Sequence, residues 1–571
     1  NDITTNNRNT SRNHKTNKIV NTMKRTIFVI IALIMSFSAF SQISTEENPY
    51  SFKIEGFDYQ NVTTLKIDKP DLQQVLEEDI ENDKQNKMMR FGVILPVYKD
   101  FFELADKTQT SEGTMWTLSV ESKDAEALIF YSDNFKLPRT GKFFLYNQER
   151  TKILGAFTHR NNNEYNTFAT EYIEGDKIIM EYYQPNSESE QAQIELTEIG
   201  YAYRGITKLS SEYRSSGDCN VNVNCSEGDN YRQQQRGVCR IQIRISSQYI
   251  GWCTGTLVNN TNYDLKPYLL TAAHCIEDVA STSYYSQFVF YFKYENSGCS
   301  VTASEPSRSR SVTGTSVKAL DNTYGSNGSD FALMLLSDEI PQSYSPYWCG
   351  WDKRNTAINN GVGIHHPSGD VKKISTFNTR LQNSSYGSDN ATHWYVEWAE
   401  TENGWGIMEG GSSGSALFNP DGRIVGTLTG GASGCDVPAS YKYDVYGKMS
   451  WHWSSNGNTN SRKLDHWLDP NETGVNFVDG MDYTSALTNP NAQNISLQLY
   501  PNPTNDVINI TLDQNTIINQ IDVFDQAGRK VETYSNASPT YTLSLKHLQK
   551  GVYTIKVTTD ETTFTQQIVL N

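Results

Sequence analysis

The chain has 571 residues and a formal net charge of −16. That length exceeds what one hydrophobic core serves, so several domains are expected. The acidic balance argues against a phosphate-binding surface, and no nucleic-acid partner is expected.

In chain order, residues 1–22 are rich in Asn, Thr and Lys and should carry no fold. Met23 reads as the true start, with 1–22 translated upstream of it. Met23-Lys24-Arg25-Thr26, an apolar run from Ile27 to Phe37 and small residues up to Ser41-Gln42 describe a signal peptide over 23–42. A membrane span needs about 20 apolar residues, more than this run supplies. Residues 43–214 lack cysteine and mix strand-like runs (Met115–Val120, Ala127–Tyr131, Lys142–Tyr146, Lys177–Tyr183) with acidic stretches such as Glu77-Glu78-Asp79-Ile80-Glu81. They read as an α+β pro-region with Lys208 or Arg214 as its processing site, the alternative being an independent binding domain.

Residues 215–484 contain all eight cysteines, at 219, 225, 239, 253, 275, 299, 349 and 435. An even count in an exported chain suggests disulfides. No pair has the close Cys-x-x-Cys spacing of a zinc site, and no metal or other cofactor is expected. Short β-branched and aromatic runs (Arg240–Ser246, Tyr268–Thr271, Phe288–Tyr294, Phe331–Leu336, Tyr395–Trp398, Arg423–Leu428) alternate with Gly/Asn/Ser turns and predict a sandwich or barrel. Ser461–Leu468 has helical apolar spacing and stops before Asp469-Pro470. Residues 485–497 look like a linker. From 498 onward, runs at Val507–Leu512, Ile518–Phe524, Tyr541–Leu545, Gly551–Thr558 and Thr563–Val569, with a turn at Gln526–Arg529, predict a small β-sandwich with an addressing or binding role.

Three middle-domain segments carry chemistry. His274 follows an apolar strand, Tyr268-Leu269-Leu270-Thr271. Asp330 precedes the apolar run Phe331–Leu335, which places its carboxylate at a strand start. Ser413 sits in Gly411-Ser412-Ser413-Gly414-Ser415, where glycines permit close approach of a carbonyl to backbone N–H groups. Each is ordinary alone: a core histidine, an Asp before a strand, a Gly/Ser turn. Together they can turn a weak hydroxyl nucleophile into an attacking group, with the imidazole taking its proton and the carboxylate holding the imidazolium. The amides of Gly411 and Ser413 are the candidate oxyanion hole. Ser412 and Ser415 are rivals, but Ser413 alone has a glycine two before and one directly after. His365-His366-Pro367 lacks acidic partners at a helical offset and reads as a structural turn. The order His, Asp, Ser is that of the chymotrypsin-type β-barrel proteases. An α/β-type esterase would show Ser before His, and an inactive adhesin on a protease scaffold would require a broken trio.

With these residues assembled, 215–484 resembles the lysyl endopeptidase family of trypsin-like secreted serine proteases. Gly217–Val221, Cys225–Asp229, Cys253–Thr261, the His274 and Asp330 segments, Gly350-Trp351-Asp352, Ile364–Pro367, Gly411–Ser415 and Trp467–Pro470 carry the resemblance. It implies a mainly β, chymotrypsin-like double β-barrel, with His274 as general base, Asp330 as orienting acid and Ser413 as nucleophile. It also implies bridges Cys219–Cys435, Cys225–Cys299 and Cys253–Cys275. Cys239 and Cys349 are left over and are expected to form an extra bridge.

By the same resemblance Asp444 is the acid at the pocket base, with Thr429, Gly430 and Gly431 in the substrate-binding segment. Thr429 stands where lysyl enzymes carry a histidine, and no aromatic companion is clearly matched near Ser385-Tyr386. Cleavage after both Lys and Arg is therefore expected. Ser412 stands where trypsin-type zymogens carry an Asp that receives the new N-terminal amine, so maturation should proceed by removal of the pro-region instead. Residues 498–571 resemble the type A sorting domain of the type IX secretion system, through Tyr500-Pro501-Asn502-Pro503, Phe524–Arg529 and Gly551-Val552-Tyr553. The resemblance implies a monomeric protein that acts on protein or peptide substrates. It further implies export by the type IX machinery across the outer membrane of a Gram-negative bacterium, to the cell surface or the medium.

Overall fold

The computed structural model describes residues 47–84, 88–206, 216–300, 306–308, 310–321, 328–387, 390–486, 497–512, 517–526, 529–538, 540–559 and 563–571. The signal peptide, Lys208, Arg214 and most of the linker lie outside the described residues. The chain separates into two compact units, with residues 488–571 forming most of the second.

The N-terminal part of the first unit is strand-rich, with one long helix, Gln73–Lys84. All four strand-like runs read from its sequence are strands, within two residues at either end. One sheet joins Thr64–Lys66, Gly113–Glu121, Lys177–Pro185, Lys142–Asn147 and Ile153–Phe157; the other joins Ile173–Glu174, Ala127–Ser132, Gln193–Ala202 and Met89–Asp100. Aromatic and branched side chains fill the space between them, among them Phe101, Phe130, Phe143, Leu145, Met180 and Ile199.

The second of these sheets does not end within the N-terminal part. Met89–Asp100 pairs antiparallel with Tyr249–Leu257, Ile250 lying opposite Gly92 and Trp252 opposite Met89. Tyr249–Leu257 opens the first barrel of the middle domain. That sheet runs on through Val238–Arg244, Val289–Phe292 and Ser311–Thr313 on one side. On the other it runs through Tyr268–Thr271, Phe331–Leu336 and Thr315–Asp321.

The strand Val238–Arg244 alternates as a half-buried strand should. Its polar face (Arg240, Gln242, Arg244) is covered by the N-terminal part. Arg240 reaches Tyr172 Oη at 3.3 Å, Gln242 donates to the Thr170 carbonyl at 3.2 Å, and Arg244 pairs with Glu198 at 2.6 Å. Around them one apolar core is shared: Phe91, Ile129 and Tyr172 from the N-terminal part pack with Ile250, Trp252 and Tyr291 of the barrel. Phe91 stacks on Trp252 with ring centroids 4.1 Å apart.

The second barrel follows the strand order Val221–Asn222, Lys373–Phe377, Gly361–His365, Ala416–Phe418, Ile424–Gly431, Tyr443–Lys448, His393–Glu397, Gln382–Ser384. The expected helix over Ser461–Leu468 is broken. Lys463 is extended (φ −151°, ψ 155°), leaving a 3-10 turn at Asn460–Arg462 and one α-turn at Asp465–Leu468. In the second unit, Leu497–Tyr500, Val507–Leu512 and Thr540–Ser544 form one sheet. Lys530–Ser538, Ile518–Phe524, Gly551–Thr558 and Thr563–Leu570 form the other. Ile508, Ile510, Val523, Leu543, Ile555 and Ile568 fill the core of this β-sandwich. Lys530–Ser538 is a strand that its mixed polar sequence does not announce.

The bridges Cys219–Cys435, Cys225–Cys299 and Cys253–Cys275 are formed. The expected fourth is not: Cys239 and Cys349 are free and buried. Cys239 sits mid-strand opposite Gly255 and Phe292, whereas the Cys349 thiol is turned to the Gln234 and Tyr347 carbonyls, at 3.8 and 4.0 Å. Burial pushes both thiols up in pKa, Cys239 to about 12.

Two outcomes follow for the unreduced protein. A thiol reagent added after denaturation should titrate two thiols per chain and none in the native state; zero after denaturation would mean a fourth bridge. Glu198→Ala should lower unfolding stability by about 1–3 kcal/mol, read from denaturant midpoints, because it removes the carboxylate from a buried guanidinium that keeps Gln287 and the Tyr284 ring.

Candidate active site

Two paired strands bring the imidazole and the carboxylate together. Tyr268–Thr271 lies antiparallel to Phe331–Leu336 with Thr271 opposite Ala332, so the residues just beyond these ends, His274 and Asp330, meet. His274 Nδ1 is 2.8 Å from Asp330 Oδ2, and the His274 backbone N–H donates to Asp330 Oδ1 at 3.0 Å. Both carboxylate oxygens are thus engaged by one residue, which fixes the ring's tilt as well as its position.

Asp330 is fully buried and adopts a left-handed backbone (φ +58°), a conformation unfavourable for a residue with a side chain. Its surroundings hold it there. The Ser329 N–H donates to the buried Asp321, and the Ser329 hydroxyl bonds His452 Nδ1 at 2.7 Å and accepts from Asn456 at 2.8 Å. Arg462 neutralises Asp321 at 3.1 Å. Burial works against ionisation of both partners, and in both it is overcome. The His274 pKa is raised because the Asp330 charge and hydrogen bond outweigh burial. The Asp330 pKa is lowered because the His274 charge and donors, helped by the Thr429 hydroxyl, do the same.

The turn that carries Ser413 is pressed against the end of the histidine strand. Its carbonyl accepts from the Thr254 N–H at 2.9 Å and lies 3.8 Å from Cys275 Sγ, so the Cys253–Cys275 bridge packs between the serine turn and the histidine loop. Gly411 and Gly414 have φ of +94° and +80°. A Cβ on Gly414 would fall 2.1 Å from Thr271 Oγ1, so only glycine permits this approach. The intervening amides are used: Ser412 N–H donates to Glu409 O and Gly414 N–H to Leu428 O. Those of Gly411 and Ser413 find no acceptor among the described residues.

The rival serines have other tasks or settings. Ser412 Oγ is buried, 2.8 Å from His365 Nδ1, and accepts from the Glu409 N–H at 3.2 Å. Ser415 is fully buried. His365 and His366 are buried and neutral, burial lowering the His365 pKa to about 3 and that of His366 also well below its usual range. His365 ends the strand Gly361–His365, and the 3-10 turn follows it at Pro367–Gly369.

Asp444 lies on the strand Tyr443–Lys448, opposite Gly431 and Val396. It is buried, and one oxygen, Oδ2, accepts from Trp398 Nε1 at 2.6 Å and from Ser433 Oγ. Oδ1 has no partner. Burial, only partly offset by those two donors, raises its pKa from 3.8 to about 7. That rise corresponds to about 4 kcal/mol of unfavourable charge burial.

Gly431 lies opposite Asp444 and Gly430 opposite Val445 on the neighbouring strand. The register shifts between Leu428 and Gly430, and this bulge turns Thr429 inward. Its hydroxyl lies against Asp330 and 3.0 Å from His393 Nε2. Thr429 is therefore buried beside the His–Asp pair. Tyr386, unassigned from sequence, has its ring 6.0 Å from that of His393. His393, Trp398 and Ser433 also escaped the sequence reading, because only strand register brings them to these acids.

Residues 213–447 match the model of the family described as lysyl endopeptidase, C-terminal domain. The middle of the chain is therefore similar to the C-terminal domain of the lysyl endopeptidases. Residues 498–571 match a secretion system C-terminal sorting domain, which makes this a secreted or cell-surface protein. A curated lysyl endopeptidase of Pseudomonas aeruginosa is 28% identical over 298 residues, covering 49% of this chain and 61% of the relative. The chain thus spans about three-fifths of that relative's length.

Among solved structures, the inactive form of Rv3671c from Mycobacterium tuberculosis H37Rv is 11% identical over 41% of this chain and 91% of its own, with a TM-score of 0.26. GrC is 12% identical over 40% of this chain and 94% of its own, with a TM-score of 0.27. Such scores carry no weight, and the fold assignment stands on the strand order above.

The raised pKa of Asp444 supplies a pH test of whether it meets a cationic side chain. Below pH about 7 Asp444 is protonated and cannot attract a cation; above it the carboxylate is charged. The ratio of kcat/KM for a lysyl substrate to that for a neutral analogue should rise with pH through about 7, then level off. Taking a ratio cancels the ionisation of His274, which both substrates share. Asp444→Asn should flatten it.

Proposed function

We propose that the middle domain is a serine endopeptidase that hydrolyses peptide bonds after Lys and Arg. The observation that carries the reading is the His274–Asp330 contact at 2.8 Å, buried beside a glycine-framed serine. Ser413 Oγ attacks the scissile carbonyl carbon while its proton passes to His274 Nε2. The carbonyl electrons move to oxygen, and the oxyanion accepts from the Gly411 and Ser413 N–H groups. Collapse expels the amine, which takes the proton from His274, and leaves an acyl-Ser413. Water, deprotonated by His274, then releases the acid and restores the serine.

Asp444 supports a cationic P1 residue. Its Oδ1 is a buried anion without a counter-charge, so a bound ammonium or guanidinium recovers energy that a neutral side chain cannot. Breadth across Lys and Arg is favoured because Thr429 stands where the lysyl enzymes carry a histidine.

We further divide the chain into a signal peptide over 23–42, a pro-region over 43–214 cut at Lys208 or Arg214, the protease over 215–484 and the sorting domain over 498–571, handled by the type IX secretion machinery. Maturation without a new N-terminal ion pair is supported by Ser412. His365 and the Glu409 amide already peg this residue within the oxyanion turn.

Ser413→Ala should abolish hydrolysis of lysyl and arginyl esters, by about a millionfold, with the fold retained by circular dichroism. Digestion of a denatured protein mixture should yield cuts after both Lys and Arg. Cuts after Lys alone would narrow the specificity, and cuts after neither would remove Asp444 from its role.

A further inference from the structure

Behind the His–Asp pair runs a line of hydroxyls and an imidazole that the proposed mechanism does not use. His393 begins the strand His393–Glu397 and is fully buried between Ser384 and Gly447 of its neighbours. Its Nδ1 is 2.6 Å from Thr392 Oγ1, and its Nε2 is 3.0 Å from Thr429 Oγ1. Thr429 in turn faces the Asp330 carboxylate.

Proton positions in this line follow from donor chemistry. An ionised carboxylate only accepts, so the Thr429 hydroxyl proton points to Asp330. The Thr429 oxygen is then free to accept, which requires the proton of His393 on Nε2. Nδ1 is left as an acceptor for the Thr392 hydroxyl. The result is one directed chain of donors, Thr392 to His393 to Thr429 to Asp330, and His274 donates to the same carboxylate from the other side.

We propose that His393 is a positioning residue for catalysis: through Thr429 it orients a hydroxyl donor onto Asp330 and so sets the basicity of His274. It touches neither substrate nor reacting atoms. Thr429 sits in a bulge, and the His393 Nε2–H is the donor that holds its hydroxyl oxygen in place, so losing it frees the Thr429 side chain to turn away from Asp330. The ionisable groups facing His393 are Asp330 and Asp321 on one side, Lys448 and His452 on another, and the Tyr386 ring at the mouth. Burial lowers the pKa of His393 to about 4, so it stays neutral and keeps its Nε2 proton throughout the working range.

This inference rests on the triad reading, and the test separates the two. In the full-length, processed protein, His393→Ala and His393→Gln are compared with wild type using a lysyl nitrophenyl ester, with rates expressed per active site from the acylation burst. His393→Ala should lower kcat by about ten- to a hundredfold, the scale of a misplaced catalytic group, with KM unchanged. Its kcat–pH profile should also move. With one donor fewer, Asp330 holds the imidazolium more strongly, and the acid limb shifts to higher pH. His393→Gln, whose amide N–H can reach Thr429, should restore most of the rate.

A His393→Ala enzyme with wild-type kcat per titrated site, or with an unmoved acid limb, overturns the role of His393. So does a lowered rate that His393→Gln leaves unrescued. If Ser413→Ala retains activity, the triad reading itself fails, whatever the His393 variants do.

Discussion

A fully buried aspartate with a left-handed backbone is the constraint around which the middle domain is arranged. Asp330 makes its anion tolerable through four kinds of contact: the His274 amide, the His274 ring, the Thr429 hydroxyl, and a rigid backing in which Ser329, His452, Asp321 and Arg462 are hydrogen-bonded to one another. None of these contacts is local. They come from strands that pair across the first barrel and from a bulge in the second, so the carboxylate is a meeting point of both. A buried charge left with fewer partners would be protonated instead, and His274 would lose the field that keeps it basic.

The two buried acids of the site sit in opposite conditions, and the contrast divides their labour. Asp330 has both oxygens satisfied and its pKa lowered; Asp444 has one oxygen satisfied, one open, and its pKa raised to about 7. The first is a settled anion that serves a neighbour. The second is an unsettled one, neutralised by a proton near pH 7 or, on the proposed function, by an arriving cation. Pairs of titratable groups pushed apart by their environments are how one fold assigns distinct roles to chemically identical side chains.

Much of this was legible in the chain because the informative segments are short and local. Alternating apolar runs placed the strands at Phe331–Leu336 and Tyr268–Thr271 to the residue, and glycines at 411 and 414 announced a turn under steric pressure. The features that were not legible depend on register. Nothing in Thr392-His393-Trp394 says that its imidazole ends beneath Asp330, and nothing in Leu428-Thr429-Gly430 shows a bulge that turns the threonine inward. The helix at Ser461–Leu468 failed for a related reason: Trp467 donates to the Asn460 carbonyl and Arg462 reaches Asp321, contacts better served by two short turns than by one continuous helix. Counting cysteines likewise suggested a fourth bridge that strand pairing does not form.

The shared core between the N-terminal part and the first barrel bears on how the protein comes into service. On the proposed maturation, cutting between 207 and 215 removes a covalent link but leaves Phe91 stacked on Trp252 and Arg244 paired with Glu198. Letting go would bare Trp252, Ile250 and Tyr291 to water, at about 25 cal/mol for each Å² of apolar surface exposed. Nicking and parting are therefore governed by two separate clocks. The hand of the second is set by aromatic packing on the barrel's back, not by whichever peptidase makes the nick.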